Sequence, residues 1–287
     1  MNPPLVSVII PTFNRAYCVA ESIRSVLAQG ELELIVVNDG SKDATVKELA
    51  SFPTIQVINL AENRGVSYAR NKGLEHARGS LICFLDSDDL WEEGKLKTQV
   101  QWMQVHSECM AVYTDEIWIR NGVRVNPMKK HQKYSGDIFR QSLPLCIVSP
   151  SSVMLRKSVL DEVDGFDELM PVCEDYDLWL RIAVRYPFKF LREKLILKRG
   201  GHKDQLSRKY WGMDRWRVYA LDKLLRGDDL NMQQREWVIE MLINKSSILI
   251  QGFEKRGKTE EARIYKNLVS HYSKSLDSVN LKLCLES

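Results

Sequence analysis

The 287-residue sequence lacks the features of several large classes of protein. It has no apolar stretch long enough to cross a bilayer, and its N-terminus lacks the charged and apolar zones of a signal peptide, so we predict a cytoplasmic protein. The net charge is only +3, which gives no bulk attraction to nucleic acid. The six cysteines contain no Cys-x-x-Cys pair, and we expect reduced, mostly packed thiols.

Glycine-rich nucleotide motifs are either missing or out of context. The turn after the first apolar run reads Pro-Thr-Phe-Asn, where a dinucleotide fold would place Gly-x-Gly-x-x-Gly, so a nicotinamide enzyme is not expected. Residues 252–259 match a Walker A pattern, but their flanks are helix-like and Glu254 within the motif would repel phosphate. We therefore predict a turn between two antiparallel helices at this position.

The first hundred residues alternate between short apolar runs and amphipathic segments. The pattern predicts strands at 5–10, 32–37, 55–60 and 81–85 and helices at 18–27, 44–50 and 66–77. Continuous apolar strands are typical of a largely parallel sheet covered on both faces. We therefore predict an α/β fold whose ligand site lies beyond the carboxyl ends of the strands.

In the rest of the chain the predicted helices and strands do not alternate regularly. We expect a helix from about 90 to 107, a strand at 110–119, helices at 156–163 and 175–184, and an extended segment at 189–197. From about residue 212 the pattern is helical throughout, so we place a boundary near 208–212.

Polar clusters follow three of the predicted strands, at 11–14, 38–41 and 86–88. In an extended chain Asp86 and Asp88 face the same side, whereas Asp89 with Glu92 has the spacing of a helix capping box. Two carboxylates completed by phosphates and water suit Mg²⁺ or Mn²⁺, and a metal-bridged diphosphate is the natural ligand. If residues 86–89 are considered by themselves, the alternative is that Asp86 and Asp88 are two solvated loop acids.

Other residues of the same half fit a nucleotide site. Asp39 ends a strand, where its carboxylate can accept hydrogen bonds from a base or ribose. Arg70 has helical spacing with inward-facing residues and therefore needs an anionic or hydrogen-bonding partner. Phe13 either stacks on a base or is an ordinary core aromatic.

The second half supplies another acidic pair, Glu174 and Asp175, at the start of an amphipathic helix. Acids are favourable at a helix N-terminus in any protein, but one of them could also serve as a general base. His202 follows two glycines, where it is either a solvated loop residue or a metal or phosphate ligand.

Taken together, six segments resemble glycosyltransferase family 2, the inverting enzymes of the GT-A fold. They occur in the family's order over roughly residues 5–207, at 6–15, 33–43, 62–79, 85–89, 164–168 and 174–181. The resemblance implies a Rossmann-like mixed, largely parallel sheet flanked by helices, with a nucleotide-sugar-binding half at 1–100 and an acceptor and catalytic half at 101–210. The helical pattern adds a C-terminal helical extension at 211–287, which is not part of the family's shared core.

The resemblance also implies a role for each candidate residue. It implies that the nucleoside is held by Thr12, Phe13, Asp39 and Arg70, with Asp86 near the ribose. It implies that Asp88 binds Mn²⁺ or Mg²⁺, that Asp175 is the catalytic base, and that His202 meets the metal or the diphosphate.

The implied reaction moves a sugar from a nucleotide-diphosphate sugar to a hydroxyl group, in polysaccharide or glycoconjugate synthesis. UDP is the expected nucleotide ahead of GDP and dTDP, and the acceptor is a glycan, a lipid-linked saccharide or a protein. The C-terminal helices are expected to serve acceptor binding, self-association or peripheral docking on the inner face of the membrane. The alternative is a catalytically inactive nucleotide-sugar-binding or scaffolding module.

Two other enzyme classes do not fit the sequence. A nucleotidyltransferase that makes sugar nucleotides would have a glycine-rich start followed by Thr-Arg, which this chain lacks. A processive polysaccharide synthase would need transmembrane helices, and the sequence has no apolar stretch that predicts one.

Overall fold

The structure is a computed structural model that describes residues 4–201 and 210–286, with side chains described up to residue 274. Its strands are β1 Val6–Thr12, β2 Glu33–Asn38, β3 Gln56–Asn59, β4 Leu81–Phe84, β5 Leu90–Trp91, β6 Ala111–Arg120, β7 Val123–Val125, β8 Val153–Arg156 and β9 Phe188–Gly200. Its α-helices are α1 Val19–Leu27, α2 Thr45–Leu49, α3 Val66–His76, α4 Lys95–Val105, α5 Phe139–Ser142, α6 Lys157–Glu162, α7 Glu174–Ala183, α8 Met213–Arg226, α9 Met232–Glu254 and α10 Thr259–Glu286.

The strands form one mixed sheet in the order β3-β2-β1-β4-β8-β6-β9-β5, with β7 paired to β6. The pairings of β1 with β2 and β4, of β2 with β3, and of β6 with β9 are parallel. Strand β8 runs antiparallel to both β4 and β6, and so joins the two parallel parts. The α/β sheet flanked by helices that the sequence predicts is confirmed.

Both faces of the sheet are covered, as the continuous apolar strands predict. Successive residues of β1 point to opposite faces: Ile9 packs in a core cluster with α3, α7 and the C-terminal helices, and Val8 and Ile10 pack in a second cluster with α1 and α4. Gly73 allows α3 to lie close to β1, because a Cβ there would come within 2.4 Å of Ile9 Cγ2. This close packing sets the distance of α3 from β1.

The structure contains three short strands that the sequence pattern does not predict, β5, β7 and β8. The helix expected from residue 90 begins only at Lys95, because Leu90 and Trp91 pair with β9. The helix expected at 156–163 begins at Lys157, since Arg156 is the last residue of β8. In both cases pairing with a distant strand overrides the local helical pattern.

Within the part of the chain that the structure describes, three helices follow the sheet. Helix α8 packs against α7, and α9 packs against both α8 and α10. The segment 252–259 joins the end of α9 to the start of α10, so the predicted turn between helices is confirmed at the Walker-like motif. The division of the chain at residues 100 and 210 stays a prediction. No helix within the described residues combines the length and apolarity needed to span a bilayer.

Candidate active site

The polar clusters at three strand ends lie side by side, because β2, β1 and β4 are neighbouring parallel strands. Thr12 is the last residue of β1 and Asn38 the last of β2, and Asp86 follows β4 by two residues. The Asp39 backbone N–H donates to the Thr12 carbonyl at 2.8 Å, which ties the first two ends together. The structure therefore brings these candidate residues to one edge of the sheet.

Asp39 holds the loop that leads into α3. Its buried carboxylate accepts hydrogen bonds from Asn63 Nδ2 at 2.8 Å, Arg64 N at 2.7 Å and Gly65 N at 2.9 Å. Burial raises the pKa of Asp39, although the bonds from Arg64 and Gly65 oppose the rise. Gly40 permits this close contact, because a Cβ there would lie 2.4 Å from the Glu62 carbonyl carbon. Asp39 therefore fixes the loop at 63–65 at the edge of the sheet where we predict that a nucleoside binds.

Thr12 and Phe13 differ in their surroundings. Thr12 is 2% exposed, and its Oγ1 has no hydrogen-bond partner among the described residues. A buried hydroxyl without a partner is costly, and a ligand group could supply the missing bond. Phe13 is partly exposed and belongs to neither core cluster, which favours the stacking interpretation over the core one.

Arg70 joins the two acidic clusters of the site. Its Nη2 lies 2.7 Å from Asp86 Oδ1 and its Nη1 lies 2.6 Å from Glu174 Oε1, with the arginine side chain only 3% exposed. Burial alone would lower the pKa of Arg70, but Asp86 and Glu174 outweigh it and raise that pKa. The anionic partner that the sequence requires for Arg70 is therefore present within the protein, as two carboxylates.

The three acids after β4 occupy three different environments. Asp86 is paired with Arg70, and Asp88 is partly exposed. Asp89 is fully buried and accepts hydrogen bonds from Ser151 Oγ at 2.6 Å and Arg199 N at 2.9 Å. Burial, with nearby Asp88, raises the pKa of Asp89 well above its usual range.

The capping role expected for Asp89 is therefore wrong. The next helix begins at Lys95 after Gly94, whose φ of 81° is left-handed. Asp89 instead ties the end of β4 to the loop at Ser151 and to β9, which are contacts over long sequence separations.

Asp175 lies in the first turn of α7, directly after Glu174. Its Oδ1 accepts the backbone N–H of Tyr176 at 2.7 Å, and its Oδ2 lies 3.3 Å from the thiol of Cys146, whose single proton has the Val148 carbonyl as a second acceptor at 3.1 Å. Burial raises the pKa of Cys146 well above its usual range, and Asp175 adds to the rise, so the sulfur stays protonated and can donate. Asp175 itself is only partly buried.

A cavity of about 140 Å³ opens onto Asp175. Among its lining residues are Glu116, Trp118, His131, Lys133, Cys146, Ser149 and Lys198. The carboxylate of Glu116 accepts the Trp118 indole N–H at 2.8 Å and lies 3.4 Å from Lys133 Nζ. Burial would raise the pKa of Glu116, but Lys133 and Lys198 lower it to about 2. The cavity therefore offers an aromatic wall, an ionised carboxylate and ammonium donors next to the expected base.

The sequence from residue 7 to 164 matches the family described as glycosyl transferase family 2. This match covers more than half of the chain and includes all three strand-end clusters. The chain belongs to glycosyltransferase family 2.

Proteins of known sequence support this membership. The chain is 32% identical over 215 residues to an uncharacterized glycosyltransferase of Rickettsia bellii, covering 72% of this chain and 31% of that protein. It is 32% identical over 186 residues to the Escherichia coli UDP-Glc:alpha-D-GlcNAc-diphosphoundecaprenol beta-1,3-glucosyltransferase WfgD, covering 63% of this chain and 71% of WfgD. Against five rickettsial relatives the chain spans between 31% and 64% of their length.

Solved structures confirm the GT-A fold of this family 2 protein. Residues 1–349 of Staphylococcus aureus TarS, in complex with UDP-GlcNAc, match with a TM-score of 0.76 at 21% identity, over 96% of this chain and 83% of that one. The mannosyltransferase PcManGT of Pyrobaculum calidifontis, in complex with GDP-Man and Mn²⁺, matches with a TM-score of 0.59 at 17% identity, over 98% of this chain and 87% of that one.

Sequence reasoning missed two residues of this family 2 site. Lys198 faces Glu116, Asp89, Asp86 and Asp175, which raise its pKa against the effect of burial. One signal was available for it, because Lys198 is two residues after the fully buried Ile196 in an extended segment and therefore shares its face. No pattern in the sequence pointed to Cys146, which meets Asp175 only through the fold.

The donor set at the end of β4 fits a divalent cation that takes most of its ligands from outside the protein. Asp88 is a partly exposed carboxylate at the same edge of the sheet, and Asp86 is engaged by Arg70. Within residues 4–201 and 210–274 no group of three or more His, Cys, Asp or Glu side chains could enclose a metal ion. Mg²⁺ and Mn²⁺ suit such a site, with phosphate and water oxygens as the other ligands. His202, the other expected ligand, lies outside the described residues.

Proposed function

We propose that this protein is an inverting glycosyltransferase that moves a sugar from a nucleotide-diphosphate donor to a hydroxyl group of an acceptor. One observation carries the proposal: Arg70 binds Asp86 and Glu174 at once, at 2.7 and 2.6 Å. The bridge holds the expected donor edge of the sheet against the start of α7, which bears Asp175. Family membership and the GT-A fold support the same activity.

The donor nucleoside is assigned to the ends of β1 and β2 and to α3. Thr12 would bond the nucleotide through its unpartnered Oγ1, and Phe13 would stack on the base. Asp39 would accept a bond from the base through the capacity left by its three existing donors. Arg70 and Asp86 would complete this side, with Asp86 toward the ribose.

Mn²⁺ or Mg²⁺ would be held by Asp88, with His202 as the second expected ligand. When bound there, the ion would neutralise the negative charge of the diphosphate leaving group. The protein's own contribution on this side is to keep Asp86 and Asp89 in fixed hydrogen bonds, while the partly exposed Asp88 would meet the diphosphate.

Asp175 is proposed as the general base. It accepts the proton of the acceptor hydroxyl while the oxygen forms a bond to the anomeric carbon of the donor sugar. The bond from that carbon to the diphosphate oxygen breaks on the opposite face, and the nucleoside diphosphate leaves with the electron pair. A single attack from the opposite face inverts the anomeric configuration, and no nucleophile of the protein is needed.

The cavity of about 140 Å³ beside Asp175 is proposed to receive the acceptor. Relatives indicate which substrates to test first. WfgD is named for transfer from UDP-Glc to a GlcNAc-diphosphoundecaprenol. A Bacillus subtilis relative, 42% identical over 110 residues, is named as a putative teichuronic acid biosynthesis glycosyltransferase. We therefore propose a UDP-sugar donor and a lipid-linked saccharide acceptor, ahead of a glycan or protein acceptor. A cytoplasmic location stays a prediction.

The first test is a thermal-shift panel of UDP, GDP and dTDP, each with Mn²⁺, Mg²⁺ or a chelator. A nucleotide at about 100 times its dissociation constant should add roughly 2.7 kcal/mol of stability. We expect UDP with metal to do so in the wild type and in Glu93→Ala, which removes an exposed acid nearby, but not in Asp88→Ala. If no nucleotide stabilises the wild type under any metal condition, the donor site is refuted and the scaffolding alternative stands.

A further inference from the structure

An exposed indole at the start of the C-terminal helical region is surrounded by positive charge. The Trp211 side chain is 46% exposed. Its ring centroid lies 4.8 Å from Arg215 Cζ, 5.5 Å from Arg256 Cζ and 5.5 Å from Lys258 Nζ. We call these four residues the Trp211 patch.

The patch is built from two separate parts of the chain. Trp211 and Arg215 lie at the start of α8, and Arg256 and Lys258 lie in the turn between α9 and α10. Beneath the indole, the buried ring of Phe253 packs edge-on with a centroid distance of 5.5 Å. The indole is therefore anchored on the core on one side and open to solvent on the other.

The charges of the patch are only weakly neutralised. Arg215 Nη2 donates to the Trp211 carbonyl at 2.7 Å and Arg256 Nη1 to the Gly252 carbonyl at 2.6 Å. Within the described part of the chain, neither guanidinium has a carboxylate within 4 Å, and Lys258 has only Glu261, at 3.8 Å.

An acid close by in the sequence does not balance this charge either. Glu254 is already paired with Lys266 at 2.6 Å. Three cations around one ring repel one another, and an anionic partner would relieve that repulsion.

Helix α9 and its C-cap also expose an apolar and a basic residue. Ile248 is 56% exposed, and Lys255 is exposed seven positions later, so the two lie on one face of the helix. Tryptophan with flanking lysine and arginine is the combination that proteins place at the membrane–water interface, where the indole lies among the headgroups and the cations reach the phosphates.

We propose that the Trp211 patch docks the protein on an anionic bilayer surface. The indole enters the headgroup layer, and Arg215, Arg256 and Lys258 contact lipid phosphates. This docking is independent of the donor chemistry, and it is purely non-covalent. A juxtamembrane cation contributes about 1 kcal/mol of binding, which is a factor of roughly five for each of the three.

The test is sedimentation of the full chain with vesicles of phosphatidylcholine, with and without phosphatidylglycerol, at physiological and at high salt. We expect binding only to the anionic vesicles, and weaker binding at high salt. The triple variant Arg215→Gln, Arg256→Gln, Lys258→Gln should partition roughly 100-fold more weakly. Trp211→Ser should weaken binding without changing its dependence on salt.

A matched triple variant controls for net charge. Lys47→Gln, Lys97→Gln and Arg124→Gln remove three exposed cations on α2, α4 and β7, and binding should stay close to that of the wild type. Equal binding to neutral and anionic vesicles would overturn the proposal, and so would equal losses in the two triple variants. The proposal would also be overturned if the wild type formed a dimer but did not bind vesicles, and if the patch variant abolished that dimer. The patch would then bind a second copy of the chain and not a bilayer.

Discussion

The two acidic clusters of the site, at 86–89 and at 174–175, are arranged in the same way despite having no common local structure. In the first, Asp86 and Asp89 are held by Arg70, Ser151 and Arg199. In the second, Glu174 is held by Arg70. Each cluster then leaves a partly exposed carboxylate at the site. The comparison shows that neighbouring acids differ in burial and in partners, and the partly exposed acid of each cluster is the one that we propose to act on the substrates.

The largest effect is expected from the accessible acid of the second cluster. Asp175→Asn removes the proposed base but keeps the shape of the side chain, so transfer should fall by about 10²–10⁴-fold. Donor binding in the thermal-shift panel should stay near wild type, because the variant leaves the donor edge intact. The rate is measured with a UDP-sugar and a lipid-linked saccharide. Transfer within a few-fold of the wild-type rate would show that Asp175 is not the base.

Arg70 pairs with an acid of each cluster, so its removal tests whether these buried pairs stabilise the fold. Arg70→Met leaves two carboxylates without their partner, Glu174 being 8% and Asp86 31% exposed, and should destabilise the fold by about 3–5 kcal/mol. Urea unfolding measures the loss. Arg70→Lys is the control, because it keeps the charge but cannot span both carboxylates. Its free energy of unfolding should lie between those of the wild type and Arg70→Met. A loss below about 1 kcal/mol would mean that the bridge does not hold the two clusters together.

Lys95 is a second buried cation and can be compared with Arg70, because it has no carboxylate partner among the described residues. It is fully buried, its Nζ lies 3.6 Å from the Trp91 ring centroid, and burial lowers its pKa from 10.5 to about 8. Below the folded pKa the folded state carries the cost of a buried charge, so stability rises with pH between about 8 and 10.5. The rise is about 3 kcal/mol.

Lys95→Met should therefore stabilise the protein by about 2 kcal/mol at neutral pH, after the loss of the contact with Trp91. The advantage over wild type should shrink as the pH rises toward 10.5, which urea unfolding at several pH values measures. Lys97→Met, at an exposed position of the same helix, should show neither effect. A constant difference at all pH values would contradict the lowered pKa.

The smallest effect is expected from the Cys146 thiol, whose proton is shared between Asp175 Oδ2 and the Val148 carbonyl. Cys146→Ala removes a weak donor at 3.3 Å, which should cost about 1 kcal/mol in the rate, or roughly a fivefold lower kcat, with the donor KM unchanged. Cys146→Ser replaces the thiol with a stronger donor and should restore the rate. If both variants lower kcat equally, the role of Cys146 is packing and not the orientation of the base.

Much of the proposed donor site could be predicted from the sequence, because the patterns that indicate it involve neighbouring residues. The apolar runs predict β1 to β4, and parallel strands bring their carboxyl ends to one edge. Arg70 could be predicted to need an anionic partner, but its partners could not be named, since Glu174 is more than a hundred residues away. The capping role of Asp89 was wrong for the same reason: its partners Ser151 and Arg199 come from distant parts of the chain.

The sequence by itself determined the α/β class, the edge of the sheet at which the acids gather, the turn at 252–259 and the family, because hydrophobic period, strand ends and ordered motifs are properties of neighbouring residues. The tertiary structure alone decided which acids are held and which face the site, that Cys146 and Lys198 join Asp175, and that Trp211 lies among three cations. Those contacts join residues far apart in the chain, and their energies depend on burial and on charges that the fold brings together.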